Sequence, residues 1–213
     1  MKALGDLELA ALLCSRVCHD VISPVGAIAN GLEILADETD EEMRSLAFDL
    51  VRRSASQASA KLQFCRLAFG ASGASGSTLD LGEAGQIARL FVGEEKIRLD
   101  WSMPQEARDK AQVKLALNLM LMGISAIPRG GVVSVSGDGP GLMVSATGEN
   151  AKLPEASTRL LAGDVDAGDI DARLVQVYYA MRLADQTGYR IEAEVGSGAV
   201  VITARPGGAS DRG

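Results

Sequence analysis

The 213-residue chain has one histidine, His19, three cysteines, and aromatic residues at only 4 %. A single histidine excludes multi-histidine metal centres and leaves any imidazole chemistry to one residue. Three cysteines, an odd number without framework spacing, exclude a disulfide scaffold and fit reduced thiols in the cytoplasm. The scarcity of aromatics speaks against base-stacking platforms and sugar clefts. A basic excess is also missing: 21 Lys and Arg stand against 28 Asp and Glu, for a net charge of −7. Neither nucleic acid nor an anionic membrane surface is an expected partner of such a chain. No apolar run approaches the ~20 residues of a membrane span, and Asp6 and Glu8 fall where a signal peptide would need its apolar core. What remains is a composition with 47 % apolar and 23 % charged residues, enough for one large domain or two small ones.

Periodicity organises the first seventy residues. Leu4, Leu7, Ala11, Cys14, Cys18, Val21, Val25, Ile28, Leu32 and Leu35 recur at alternating steps of three and four, which predicts a long helix with one apolar seam. The acidic stretch DETDEE interrupts it, and Thr39 or Asp40 can cap a second helix. That helix carries its own seam, through Phe48, Val51, Ala55, Ala58, Leu62, Cys65 and Phe69. Two helices cannot bury two such seams well, so the hairpin is expected to pair with a second copy as a dimeric four-helix bundle. GASGASGST, from Gly70 to Thr78, reads as a linker.

Beyond it the pattern alternates between helix and strand. Helices are predicted over Leu81 to Phe91, Asp109 to Ile127 and Ile170 to Thr187, the last closed by Gly188. KIRLDWSM reads as a strand, and VVSVSGDGPGLMVSAT and YRIEAEVGSGAVVITARP read as hairpins. The expected fold is α+β: a hairpin over 1–72, an α/β sandwich with helices on one face of a mixed or antiparallel sheet over 79–206, and a flexible tail over 207–213.

His19 follows Cys18 and so flanks the first seam, where a side chain reaches water. Neutral imidazole is a good nucleophile toward phosphorus. Asp20 can orient the ring or take its proton. Ser23, one turn on, can hydrogen-bond the second ring nitrogen. Pro24 donates no amide hydrogen to the Asp20 carbonyl, so a bend is expected there. Cys14, Cys18 and Cys65 with His19 would make a Cys₃His set, but the cysteines lie on the seams and are expected to point inward, away from the ring.

The spacing His-Asp-x-x-Ser-Pro within CHDVISPVGAIANGLEIL resembles the phospho-acceptor box of sensor histidine kinases, and the order hairpin-then-α/β domain is similar too. The resemblance implies a nucleotide site, and its motifs have changed. In ALNLMLMGISAIPRGG, Asn118 keeps the first asparagine of the kinase Asn box, while the magnesium-holding asparagine falls on Met122 and the following lysine on Ser125. Methionine is a poor ligand for a hard cation. The adenine-binding aspartate falls on Ala146, the second glycine of that motif on Asn150, and the glycine-rich lid on the aspartate-rich GDVDAGDIDARL.

With LCHDVISPVGAI and LQFCRLAFGASGAS added, the pattern is most similar to the ChpT family of α-proteobacterial histidine phosphotransferases, dimers with a degenerate ATPase-like domain. That resemblance implies a phosphoryl relay through His19 without ATP. The donor would be the receiver domain of a hybrid kinase of the CckA type, and the acceptors response regulators of the CtrA and CpdR types. No cofactor is expected on this chain, the Mg²⁺ being supplied by the receiver. The expected docking face runs from His19 toward the hairpin turn through Ala27, Asn30, Gly31 and Ile34, with Arg53, Ser54 and Gln57 on the second helix, Ala58 being expected at the level of His19. The alternative is a scaffold that binds response regulators without transferring phosphate.

Overall fold

The structure is a computed structural model, and it describes residues 3–70, 78–93 and 96–207. Most of the expected linker and tail lies outside the described residues.

Helices α1 (Asp6–Asp37) and α2 (Glu41–Ala68) form the hairpin. Its turn is built by the acidic stretch. Glu38 Oε1 accepts from the Thr39 and Asp40 amides at 2.8 and 2.9 Å, and these bonds, the Asp40 one foremost, lower its carboxyl pKa. Asp40 caps α2 by accepting from the Met43 amide at 3.0 Å. Arg44 Nη1 donates to the Leu35 carbonyl in the last turn of α1 (2.7 Å) and to the carbonyl of Glu38 just after it (2.9 Å).

The seams read from the sequence divide between two directions. Val51, Ala58 and Cys65 turn toward α1, and every seventh residue of α1 from Val21 through Ile28 to Leu35 is part-buried. The alternate members face outward: Cys18, Val25 and Leu32 on α1, and Phe48, Ala55 and Leu62 on α2, are exposed. The hairpin closes instead through a tighter set. A Cβ added at Gly31 would lie 2.6 Å from Val51 Cγ2, so α1 and α2 meet there at backbone distance. α1 runs as one continuous helix through Pro24, whose ring is buried. The 32-residue α1 is also long and apolar enough by length and composition to cross a membrane, contrary to the expectation that no such run exists. Only 6 % of that apolar window is buried, although Leu9, Leu12 and Leu13 pack against the core.

The second part contains β1 (Thr78–Asp80), α3 (Leu81–Val92), β2 (Ile97–Ser102), β3 (Ala107–Asp109) and α4 (Lys110–Ala126). It continues with β4 (Gly131–Asp138), β5 (Gly141–Thr147), α5 (Glu155–Leu161), α6 (Val175–Thr187), β6 (Tyr189–Gly196) and β7 (Ala199–Pro206). The main sheet has the order β2-β4-β5-β7-β6, with β2 and β4 parallel and the remaining pairs antiparallel. Its inward side chains alternate, as in Val133 and Val135, Val144 and Ala146, Val200 and Ile202, and pack under the apolar α4. A Cβ at Gly123 would come 2.8 Å from Val144 Cγ1, which sets how closely α4 lies on the sheet.

Two details differ from the expectation. β1 and β3 make a separate two-stranded ribbon too short to show in an alternation pattern. The last helix begins at Val175 rather than Ile170, because Asp171 Oδ1 accepts from the Arg173 and Leu174 amides at 2.9 Å and holds a turn ahead of it.

Hairpin and α/β part share one core. Phe64 and Ala68 of α2 and Leu4 belong to the same buried cluster as α4 and the sheet. The Leu4 amide donates to Tyr178 Oη at 3.1 Å. At the end of α2, Lys114 Nζ donates to the Gly70 carbonyl, and Asn118 Nδ2 to the Ala68 carbonyl at 3.3 Å.

Candidate functional site

His19 sits midway along α1 with its side chain 83 % exposed, beside Asp20 at 21 %. Consecutive helical residues diverge by about 100°, so Asp20 turns toward the α1–α2 crease while His19 turns to solvent. The ring folds back far enough for Nδ1 to lie 3.4 Å from Asp20 Oδ1. Among the described residues Nε2 makes no hydrogen bond, and the side chain is open to solvent. The other carboxylate oxygen, Oδ2, accepts from Arg16 Nε at 3.0 Å. Arg16 and Asp20 lie one turn apart on the same face. The i,i+4 spacing of Arg16 and Asp20 is the signal the sequence carries for this pair.

Across the crease lies Cys65, buried on α2. Burial, reinforced by the Asp20 carboxylate, pushes its thiol up to about 11, against the opposing pull of Arg16 and Lys61. Gly31 meets Val51 and Ala47 across the crease, so the antiparallel register puts the level of His19 closer to Lys61 than to the expected Ala58, about one turn farther from the hairpin turn.

The remaining expected residues separate. Ser23 is exposed one turn beyond His19, and among the described residues it makes no hydrogen bond to the ring. Pro24 is buried. Asn30 and Ile34 are exposed and Ala27 part-buried, so these three line the open side of α1. Gly31 is not on that side: it is buried against Val51 and the Ala47 carbonyl. Ser54 is likewise buried, because its position on α2 repeats with Ala47 and Ala58 on the inner face. Arg53 and Gln57 are exposed and line a groove of about 630 Å³ that continues onto Leu90 and Phe91 at the end of α3.

Cys14 and Cys18 are exposed in the single chain, not inward-facing as expected, and Cys65 is on the far helix. Among the described residues no three His, Cys, Asp or Glu side chains come together as a metal site.

The positions aligned with the kinase nucleotide motifs are largely interior. Asn118 is fully buried; its Nδ2 also donates to the Lys114 carbonyl at 2.8 Å, and Gln176 Nε2 donates to its backbone oxygen at 2.8 Å. This asparagine therefore joins α2, α4 and α6. Met122 and Ala146 are fully buried in the core between α4 and the sheet. Ser125 Oγ turns back to the Met122 carbonyl at 2.7 Å. Ser125 and Asn150 border a cavity of about 570 Å³, beside which Arg129 pairs with Glu149 at 2.7 Å.

The comparisons with known proteins agree with this arrangement. The family model for the histidine phosphotransferase C-terminal domain matches residues 81–199. The protein phosphotransferase ChpT of Brucella abortus (strain 2308) is 40 % identical over 205 residues, covering 94 % of this chain and 97 % of that protein. The solved structure of a bacterial phosphotransferase superposes with a TM-score of 0.87 at 39 % identity, covering 96 % of this chain and 98 % of the other. An exposed imidazole with a carboxylate at Nδ1, a family match over the α/β part and near full-length similarity on both sides lead to one conclusion: the chain belongs to the histidine phosphotransferase family.

Proposed function

We propose that this protein is a phosphorelay intermediate in which His19 takes a phosphoryl group from the aspartyl phosphate of one receiver domain and passes it to the aspartate of another, without using ATP. The observation that carries this reading is the open imidazole of His19, held at Nδ1 by Asp20 and free at Nε2.

In the forward step the Nε2 lone pair attacks phosphorus. The bond from phosphorus to the aspartyl oxygen breaks, and its electron pair returns to the receiver carboxylate. No proton leaves this chain. The ring keeps its Nδ1 hydrogen and gains positive charge, which the hydrogen bond to Asp20 offsets. The second transfer is the reverse step onto another carboxylate. The Mg²⁺ of the reaction belongs, in this reading, to the receiver, and this chain contributes position and a held tautomer. The burial of Met122 and Ala146 in the nucleotide frame supports the absence of an autokinase step.

The docking face of the proposal is the open side of α1 from His19 through Ala27, Asn30 and Ile34, with Arg53 and Gln57 on α2. The groove from Arg53 to Leu90 extends it onto the second part of the molecule. The outward heptad stripe of Cys18, Val25, Leu32, Phe48, Ala55 and Leu62 supports a homodimer, closing a four-helix bundle with a second copy. The partners, carried by sequence resemblance, are a CckA-like hybrid-kinase receiver and response regulators of the CtrA and CpdR types. The setting is cytoplasmic and the role a part of cell-cycle regulation.

The test is transfer from a phosphorylated receiver with Mg²⁺ and no ATP. Acid-labile label on wild type and none on His19→Ala is the expected result. A folded wild type that accepts no label from cognate receivers would replace this reading with a scaffold, and label taken directly from ATP would make the protein a kinase.

A further inference from the structure

We propose that Arg16 is a positioning residue for His19, acting through Asp20. The two oxygens of the Asp20 carboxylate have separate partners: Oδ2 is fixed by Arg16 Nε at 3.0 Å, and Oδ1 faces His19 Nδ1 at 3.4 Å. Fixing one oxygen sets the rotation of the carboxylate and so aims the other at the ring. Without Arg16 the carboxylate is free to swing toward water, because nothing else among the described residues is bonded to it.

Burial strengthens the restraint. The Arg16 and Asp20 side chains are 26 % and 21 % exposed, against 83 % for His19. A pair lodged in the α1–α2 crease is screened less than a surface pair and keeps fewer rotamers. From α2, the Cys65 thiol is coupled electrostatically to both members of this pair.

The chemistry gives the pair a second use. Once phosphorylated, the ring carries a dianionic phosphoryl group. An unpaired Asp20 would add a like charge beside it. Paired with Arg16, Asp20 remains a hydrogen-bond acceptor for Nδ1–H with its charge compensated. Among the described residues Arg16 makes no hydrogen bond to the ring, so its effect passes through Asp20.

The proposal rests on His19 being the phosphoryl acceptor, but the orientation of its ring is readable without a phosphoryl donor. The chain has one imidazole, so its two ¹⁵N shifts are unambiguous. At pH 8 the wild type is expected in the Nδ1–H form set by Asp20. Arg16→Gln shifts the population toward Nε2–H, the form favoured by free histidine, while Arg16→Lys, which keeps an i,i+4 pair with Asp20, stays near wild type. Transfer from a phospho-receiver falls about tenfold in Arg16→Gln and falls no further when Arg16→Gln is added to Asp20→Asn. An unchanged tautomer in Arg16→Gln, or a full additional loss in the Asp20→Asn background, would overturn the proposal. A tautomer shift in Arg16→Gln, alongside a wild type that accepts no label, would count against the phosphotransfer reading while upholding the link from Arg16 to the ring.

Discussion

Phe64 of α2 stacks on Phe91 of α3 with ring centroids 4.0 Å apart and planes 22° from parallel. Phe64 is fully buried, so this stack fastens the hairpin to the α/β part within the common core. Phe64→Ala should destabilise the protein by about 3–5 kcal/mol through lost burial and the cavity left behind. Urea unfolding would show this as a lower midpoint. A loss below about 1 kcal/mol would mean that the stack adds little to the joint.

Gly31→Ala pits two effects against each other. Alanine gains about 1 kcal/mol in a helix relative to glycine. The added methyl would meet Val51 Cγ2 at 2.6 Å and the Ala47 carbonyl oxygen at 3.3 Å. Val51 is stiff at χ1, so overpacking of about 1–3 kcal/mol prevails and the hairpin loses stability. Val51→Ala combined with Gly31→Ala should recover part of the loss. A Gly31→Ala protein more stable than wild type would show that the helices separate freely at this level.

Asn118→Ala and His19→Gln should behave in opposite ways. Removing the Asn118 amide leaves the Ala68 carbonyl without its donor and takes one acceptor from Gln176, which should lower stability by about 2–3 kcal/mol. His19→Gln changes an exposed side chain and should move stability by less than about 0.5 kcal/mol while ending transfer. Chemical denaturation of the two variants side by side checks the contrast.

Cysteine chemistry separates the two faces of the hairpin. Cys14 and Cys18 are exposed and Cys65 is buried with its thiol raised to about 11, so at pH 8 a thiol reagent should modify the first two well before the third. If copies pair through the outward stripe, raising the protein concentration should protect Cys18. The stability effect has a definite sign. Below pH 9 the Cys65 thiol is protonated folded or unfolded, and its contribution is constant; between about 9 and 11 only the unfolded chain ionises, so stability falls as pH rises. Cys65→Ala should flatten that part of the pH profile.

Much of this architecture was legible in the sequence. Heptad spacing gave both long helices, alternation gave the two hairpins of the main sheet, and Gly188 ends the last helix in the left-handed conformation. His19 stood out by composition and spacing alone. What periodicity does not encode is direction. A seam marks an apolar stripe but not which neighbour covers it, and so Cys14 and Cys18 were expected inward and Gly31 outward. Ser54 was misplaced because a small polar residue reads as surface, although its heptad position is internal. Arg16 was missed because its partner is read from geometry: an i,i+4 Arg–Asp pair is common on helices and gains meaning only beside an exposed imidazole.

The end of α2 has a mechanical consequence. The Ala68 carbonyl of α2 and the Gly70 carbonyl just beyond it are held by Asn118 and Lys114 from α4, and Leu4, ahead of α1, is tied to α6 through Tyr178. An enzyme that must carry a nucleotide on one domain to a histidine on another needs a hinge between them. Here α2 and Leu4 are both bonded to the α/β part, which predicts that the arm bearing His19 and the body behind it move as one unit.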